Sequence, residues 1–241
     1  ILLYTLLLGV SVELVQAKFN RQMDFADVYR NFLGSLLAIT FFFIQINNGH
    51  KKNKTVYSFF MVVCLFIIVE QFSLFSALTL KYQQYKKIPI LADFSLKNEL
   101  LLWSEGDIIA NPNKQNKFSL KVNLLAGEKY SGFTFQEVYQ DWQGYNAIEF
   151  HIRSDSKKDE KLCIKITDLA HDQGNHAYNN RFNYCPALVY GENVINISLE
   201  DISNAPQNRK MNLAEISQVG FFMIDLVDDK TLYIDEITLK R

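Results

Sequence analysis

Long apolar runs crowd the first eighty residues of this 241-residue chain, and none of comparable length follows. Ile1–Val15 is apolar except for Tyr4, Thr5, Ser11 and Glu13. Asn31–Ile46 is a second run, approaching a full span when counted from Val28, and Val56–Leu80 is a third, with aromatics near both ends. A bilayer core takes ~20 apolar helical residues to cross. The runs also lack the broad polar face that a buried helix of a soluble bundle would keep. Residues 1–80 are therefore predicted to be an α-helical transmembrane segment with three spans, the first visible only as the tail of a helix. The chain opens on Ile1 inside an apolar run, which leaves room for a leader or earlier spanning helices upstream.

Net charge looks bland at −1, but it hides a division. Residues 1–90 carry nine Lys/Arg against four Asp/Glu, whereas residues 91–241 carry sixteen against twenty-two. A basic, oily third and an acidic remainder belong in different environments. No basic stripe survives in the acidic part, so a nucleic-acid partner is excluded. Lys51, Lys52 and Lys54 mark residues 47–55 as a cytoplasmic loop, while Lys18, Arg21, Arg30, Lys81, Lys86 and Lys87 pull the other way.

Polar residues gather between the first two runs: Glu13, Gln16, Arg21, Asp24, Asp27 and Asn31, then Gly34. Glu13 and Gln16 share a helix face, as do Asp27 and Asn31. Asp24 and Asp27 fall near a helix N-terminus, which favours negative charge. Gly34 offers a place for close helix approach. Glu13 sits where an unpaired carboxylate is expensive, and Arg21 is its natural partner. This E-x-x-Q, Arg, Asp, N-x-x-G pattern resembles the VanZ-like family over about the first 45 residues, with Ala38 where a second small residue is often Gly. The resemblance implies an integral membrane protein linked to glycopeptide resistance, with the polar loop outside the cell membrane. The cluster reads either as an ion-paired hairpin or as a site for a polar lipid or cell-wall precursor, with Arg21 on phosphate and Glu13 or Asp27 as acid or base. Glu70, in the third run, is either functional or a neutral or Arg-paired helix contact.

Residues 81–90 are basic and polar, end near Pro89, and read as a linker. Residues 91–241 alternate in short runs between turn signals, the pattern of an all-β sandwich. Strands are expected at 117–124, 132–138, 147–153, 162–167, 178–185, 193–199, 219–224 and 232–239, with a helical turn at 213–216. Asp141-Trp142-Gln143-Gly144-Tyr145-Asn146, Arg181-Phe182, Gly191-Glu192-Asn193-Val194 and Tyr233-Ile234-Asp235-Glu236-Ile237 together resemble the galactose-binding-like sandwiches, which include carbohydrate-binding modules. That resemblance implies a jelly roll and leaves the ligand open.

Alternation turns Leu162, Ile164, Ile166, Phe182 and Tyr184 to the core and Cys163, Lys165, Thr167, Arg181, Asn183 and Cys185 to the other face. A hairpin centred near Gly174 sets Cys163 opposite Cys185 and Thr167 opposite Arg181. That register permits a disulfide, which requires an oxidising compartment. Glycan candidates are Lys165, Thr167, His176, Tyr178, Arg181 and Asn183. Arg181 could instead pair with Asp168, and Trp142 reads as core. Asp235 is a candidate ligand for structural calcium, with no other cofactor indicated. His171 and His176 read as solvated loop residues, and no catalytic signature stands out. The favoured reading is a bacterial cell-membrane protein whose extracytoplasmic sandwich binds a glycan or cell-wall polysaccharide without catalysis, beside a VanZ-like core in lipid. The alternatives are an enzyme or transporter acting on a lipid-linked precursor, and a protein-interaction scaffold.

Overall fold

Phe25–Ile46 holds no proline and one glycine, places Asp27 in its first turn, and forms helix α1. Lys54–Glu70 forms α2, and Phe72–Lys87 forms α3. The computed structural model describes Tyr4, Ser11 and residues 25–46, 54–111, 117–158 and 160–241. Two compact units result, Ile1–Leu78 and Thr79–Arg241.

In the first unit α1 packs on α2 and leaves Phe41, Phe42 and Phe43 exposed, as α2 leaves Leu65, Phe66 and Ile68. Only α1, over Asp27–Ile46, is long and apolar enough by itself to cross a membrane among the described residues. The third apolar run is not one helix. It breaks at Gln71, and α2 and the following helix meet at 41°, so it counts as a span only if the bent pair is taken together. Seventeen residues of α2 reach ~25 Å, short of the ~30 Å hydrocarbon core. Among the described residues, the second and third expected spans thus become one, or two if the bent pair is taken as a single span. Apart from Tyr4 and Ser11, the Ile1–Val15 run lies outside the described residues.

The second unit is a sandwich of two sheets, and each of its strand pairs is antiparallel. Its strands are β1 (Ile90–Ala92), β2 (Asp107–Ala110), β3 (Phe118–Leu124), β4 (Tyr130–Phe135), β5 (Ala147–Ser154) and β6 (Glu160–Lys161). They continue with β7 (Cys163–Asp168), β8 (Phe182–Tyr184), β9 (Ala187–Leu188), β10 (Gly191–Ser198), β11 (Ile216–Ile224) and β12 (Lys230–Lys240). Short helices α4 (Leu169–Asp172) and α5 (Leu199–Asn204) follow β7 and β10. The larger sheet runs β10-β5-β12-β3-β2 with β1 also on β12, and the smaller runs β4-β11-β7-β8.

Period-two alternation builds the core between them. Ile148, Phe150 and Ile152 of β5 face Ile164 and Ile166 of β7 and Val219, Phe221 and Met223 of β11 within one buried cluster. In β12 the inward phase changes from Leu232 and Ile234 to Ile237 and Leu239, because a bulge between Ile234 and Glu236 inserts one residue. Trp103 stacks on Phe135 at 4.5 Å between ring centres. Trp142 is fully buried, and its indole N–H donates to the Tyr139 carbonyl at 2.7 Å, so it is core as the sequence suggested.

Two boundaries move. Residues 81–90, expected as a linker, are helix through Lys87 and strand from Ile90. Leu80 belongs to the sandwich core, Gln84 donates to the Glu137 carbonyl at 2.7 Å, and Lys87 pairs with Asp93 and Glu99. The strand expected at 178–185 begins as a 3-10 turn, Tyr178–Asn180, and becomes β8 only at Phe182. Tyr184, expected in the core, is exposed, because β8 is the sheet's edge strand.

Candidate functional site

The pleat that buries Ile164 and Ile166 turns Cys163 and Lys165 to the outer face of the smaller sheet. Register aligns Gly132, Phe222 and Cys163 across β4, β11 and β7, and one step along aligns Thr134, Gly220, Lys165 and Asn183. Cys163 and Cys185, next beyond the Ile164–Tyr184 pair, are joined by a disulfide. The two glycines make this face hollow. A Cβ on Gly132 would stand 2.3 Å from the Phe221 carbonyl oxygen and 2.6 Å from Phe222 Cβ; one on Gly220 would stand 3.0 Å from Lys165 Cε. Phe222 and Lys165 can therefore lie across the neighbouring strands.

The resulting groove, about 480 Å³, is lined by the disulfide together with Tyr130, Lys165, Tyr178, Arg181, Phe222 and Ile224. Tyr130 is 59% exposed and Tyr178 67%. The Tyr130 ring meets Phe222 edge-on at 6.0 Å, and the Arg181 guanidinium lies 5.1 Å from the centre of the Tyr178 ring. Arg181 Nε donates to Asn183 Oδ1 at 3.0 Å, and Asn183 Nδ2 donates to the Tyr178 carbonyl at 3.1 Å, which ties the three residues together.

Neither Lys165 nor Arg181 forms an ion pair among the described residues. Burial, and then the like charge of Arg181, hold the Lys165 ammonium below its ordinary range, although Asp172 pulls the other way. Burial lowers Arg181 as well. Chemically the groove offers aromatic faces, planar donors and uncompensated positive charge.

Of the six glycan candidates, Lys165, Tyr178 and Arg181 meet in this groove, and Asn183 braces two of them. Thr167 does not take part. It is fully buried, because the bulge in β11 brings the Ser217 hydroxyl against its own at 2.8 Å. His176 is exposed on the loop after β7 and is not among the lining residues. Tyr130, Phe222 and Ile224 were missed, though the same alternation in 130–135 and 216–224 points them outward.

Asp168 does not pair with Arg181. Its carboxylate accepts from Arg209 Nη1 at 2.5 Å and Nη2 at 2.7 Å, from Asn212 N–H at 2.8 Å and from His171 N–H at 3.1 Å. Burial alone would raise its pKa, but Arg209 and the two backbone donors outweigh it and hold the carboxyl below the usual range. His171, expected to be solvated, is 3% exposed, and burial leads the causes that push its imidazole below the ordinary value. Asp235, the calcium candidate, occupies the β12 bulge and accepts from Ser119 Oγ at 2.7 Å. It belongs to no cluster of three metal-ligating side chains among the described residues.

Glu13, Gln16, Arg21 and Asp24 of the polar loop lie outside the described residues. Arg30 bridges α1 and α2, with Nη1 on Asp27 at 2.8 Å and Nε on Glu70 at 3.0 Å. Glu70 is thus the Arg-paired contact. Asn31 is exposed, its carbonyl accepting from Ser35 Oγ at 2.8 Å. Beyond its chain neighbours and its own helix backbone, no described atom comes within 4 Å of a Cβ placed on Gly34, and the first apolar run, which could approach it, lies outside the described residues apart from Tyr4 and Ser11.

No family model matches the chain, and no curated protein matches it significantly. Solved structures resemble its C-terminal part. A family 11 carbohydrate-binding module from Clostridium thermocellum, in complex with a β-1,3-1,4-mixed-linked tetrasaccharide, is 16% identical over 63% of this chain and 94% of that one, with a TM-score of 0.46. A non-crystalline-cellulose-specific module of family 28 is 10% identical over 64% and 93%, with a TM-score of 0.43. A surface glycan-binding protein from Prevotella bryantii is 16% identical over 63% and 55%, with a TM-score of 0.44.

Proposed function

We propose that this chain is a membrane-anchored glycan-binding protein whose outer groove on the smaller sheet takes an oligosaccharide carrying negative charge. The observation that carries this reading is the pairing of two exposed tyrosine rings, Tyr130 and Tyr178, with two cations, Lys165 and Arg181, that form no ion pair among the described residues. The C–H face of a sugar ring packs on an aromatic face, while hydroxyl and acidic substituents meet planar donors and an ammonium. A carboxylate or phosphate on the glycan would supply the counter-charge that Lys165 and Arg181 lack.

The anchor in this proposal is the helical unit, with α1 in lipid and the VanZ-like polar loop at the membrane surface near cell-wall precursors. In this reading the sandwich lies outside the bacterial cell membrane, and the Cys163–Cys185 disulfide, which favours an oxidising compartment, supports it. Protease added to intact spheroplasts should then cleave the sandwich; protection until the cells are lysed would reverse the assigned sidedness.

Glycan-array binding by the full chain in detergent tests the ligand. Acidic glycans should be retained over neutral ones, and more weakly as salt rises. Tyr178→Ala should weaken binding about tenfold, equivalent to ~1.4 kcal/mol. Lys165→Ala should abolish the preference for acidic glycans. Equal retention of all glycans by the parent and Tyr178→Ala would remove the groove from consideration.

A further inference from the structure

Outside the groove, the segment after β7 folds back on itself and brings His171, Asp172 and His176 together, with one potential ligand atom from each lying within 4.8 Å of the others. The Asp168 carboxylate caps α4 by accepting from His171 N–H, which fixes where the histidine leaves the strand and turns its ring inward. His171 Nδ1 lies 3.1 Å from the Asn180 carbonyl oxygen. A carbonyl can only accept, so Nδ1 carries the proton and Nε2 keeps its lone pair. Asn180 is itself clamped by Arg209, whose Nε donates to Oδ1 at 2.7 Å and whose Nη2 donates to the same carbonyl at 3.2 Å. Imidazoles that bind metals are held in this way, one nitrogen tied to a carbonyl and the other presented to the ion.

His176 comes from the far side of the turn. Its backbone is left-handed at φ 54°, a conformation that non-glycine residues seldom adopt, and its ring meets that of His171 at 5.6 Å and 74°. Asp172 completes the set, with Gln218 Nε2 at 3.5 Å from its carboxylate.

We infer that His171 Nε2, the Asp172 carboxylate and a ring nitrogen of His176 form a binding site for a divalent first-row cation, with zinc the best chemical match. Two imidazoles and one carboxylate are a zinc-type donor set, and a solvent molecule would take the fourth position. Calcium and magnesium prefer six or more oxygen ligands and are a poor fit to two imidazoles. Tetrahedral zinc with bonds of ~2.0–2.1 Å places its ligand atoms about 3.4 Å apart. The present spacing of up to 4.8 Å would have to contract to that value on binding, and His176 is the exposed member of the set.

The test is metal titration of the full chain in detergent, without a histidine tag and stripped beforehand with chelator. Zn²⁺ should bind with one equivalent at a dissociation constant on the order of micromolar. Co²⁺ should develop the visible absorption of a tetrahedral site. His176→Ala and Asp172→Asn should each weaken binding at least about tenfold, the loss expected when a metal contact is removed. His151→Ala, on β5, should leave binding unchanged. Unchanged tryptophan emission would show that the exposed-residue variant is folded. Absence of saturable Zn²⁺ binding below about 1 mM, where affinity is only ~4 kcal/mol, would overturn the inference. So would a His176→Ala protein that binds as tightly as its parent.

Discussion

Asp168 shows how much of the sandwich a single carboxylate can hold in place. It sits at the end of β7, caps α4, and receives Arg209 and the Asn212 N–H from the segment leading to β11. Removing it would strand a partly buried guanidinium and two backbone donors, so Asp168→Ala should destabilise the sandwich by about 3 kcal/mol at pH 7. Its pKa is depressed by folding, so the stability it contributes is complete above the unfolded value of ~3.9 and is lost as pH falls through the lower, folded value. Urea unfolding followed by the emission of Trp103 and Trp142 should show the parent–variant gap intact at pH 6 and shrinking below about pH 4. The sequence pointed to Asp168 but matched it to the wrong arginine. Arg181 is close along the alternating pattern, whereas Arg209 arrives from a loop with no period to follow. Thr167 failed for a related reason: its outward phase was legible, but the bulge that sets Ser217 against it was not.

At the scale of elements, strands of six or more residues carried enough alternation to be read directly, and β3, β5, β7, β10, β11 and β12 fall close to where they were expected. Shorter edge strands did not. β1 has three residues, β2 four, and β6 and β9 two each, too few to establish a period. The break between α2 and α3 was hidden because apolar residues flank Glu70 and Gln71 on both sides and keep the run apolar on average. Where β4 meets β11 the groove depends on a missing side chain. Gly132→Ala would drive a methyl into the Phe221 carbonyl and Phe222 Cβ, and backbone cannot swing aside as a lysine tip can. The expected loss is about 2 kcal/mol, with displacement of Phe222 and weaker binding of the proposed glycan. Gly220→Ala should be milder, because the flexible end of Lys165 is what it meets. Thermal unfolding of the two variants side by side provides the comparison.

On the scale of the whole molecule, the division into oily and acidic parts was the most legible property, and the place of the join was the least. Composition locates a change of residue character, but not the residue at which one packing unit ends. The last turns of α3 lie on the sandwich side of that join: Leu80 is buried in its core, Gln84 bonds the Glu137 backbone, and Lys87 neutralises Asp93 and Glu99. A water-soluble fragment cut at residue 91 would discard these side chains together with the first residue of β1, and leave the nearly enclosed Glu99 carboxyl without its Lys87 partner. One begun at Thr79 would keep them. The earlier start should yield a monodisperse domain with a cooperative melt, and the later one an aggregating or partly molten product. Excision of the sandwich for crystallisation or binding work therefore succeeds or fails at the tail of a helix that hydropathy alone would leave behind.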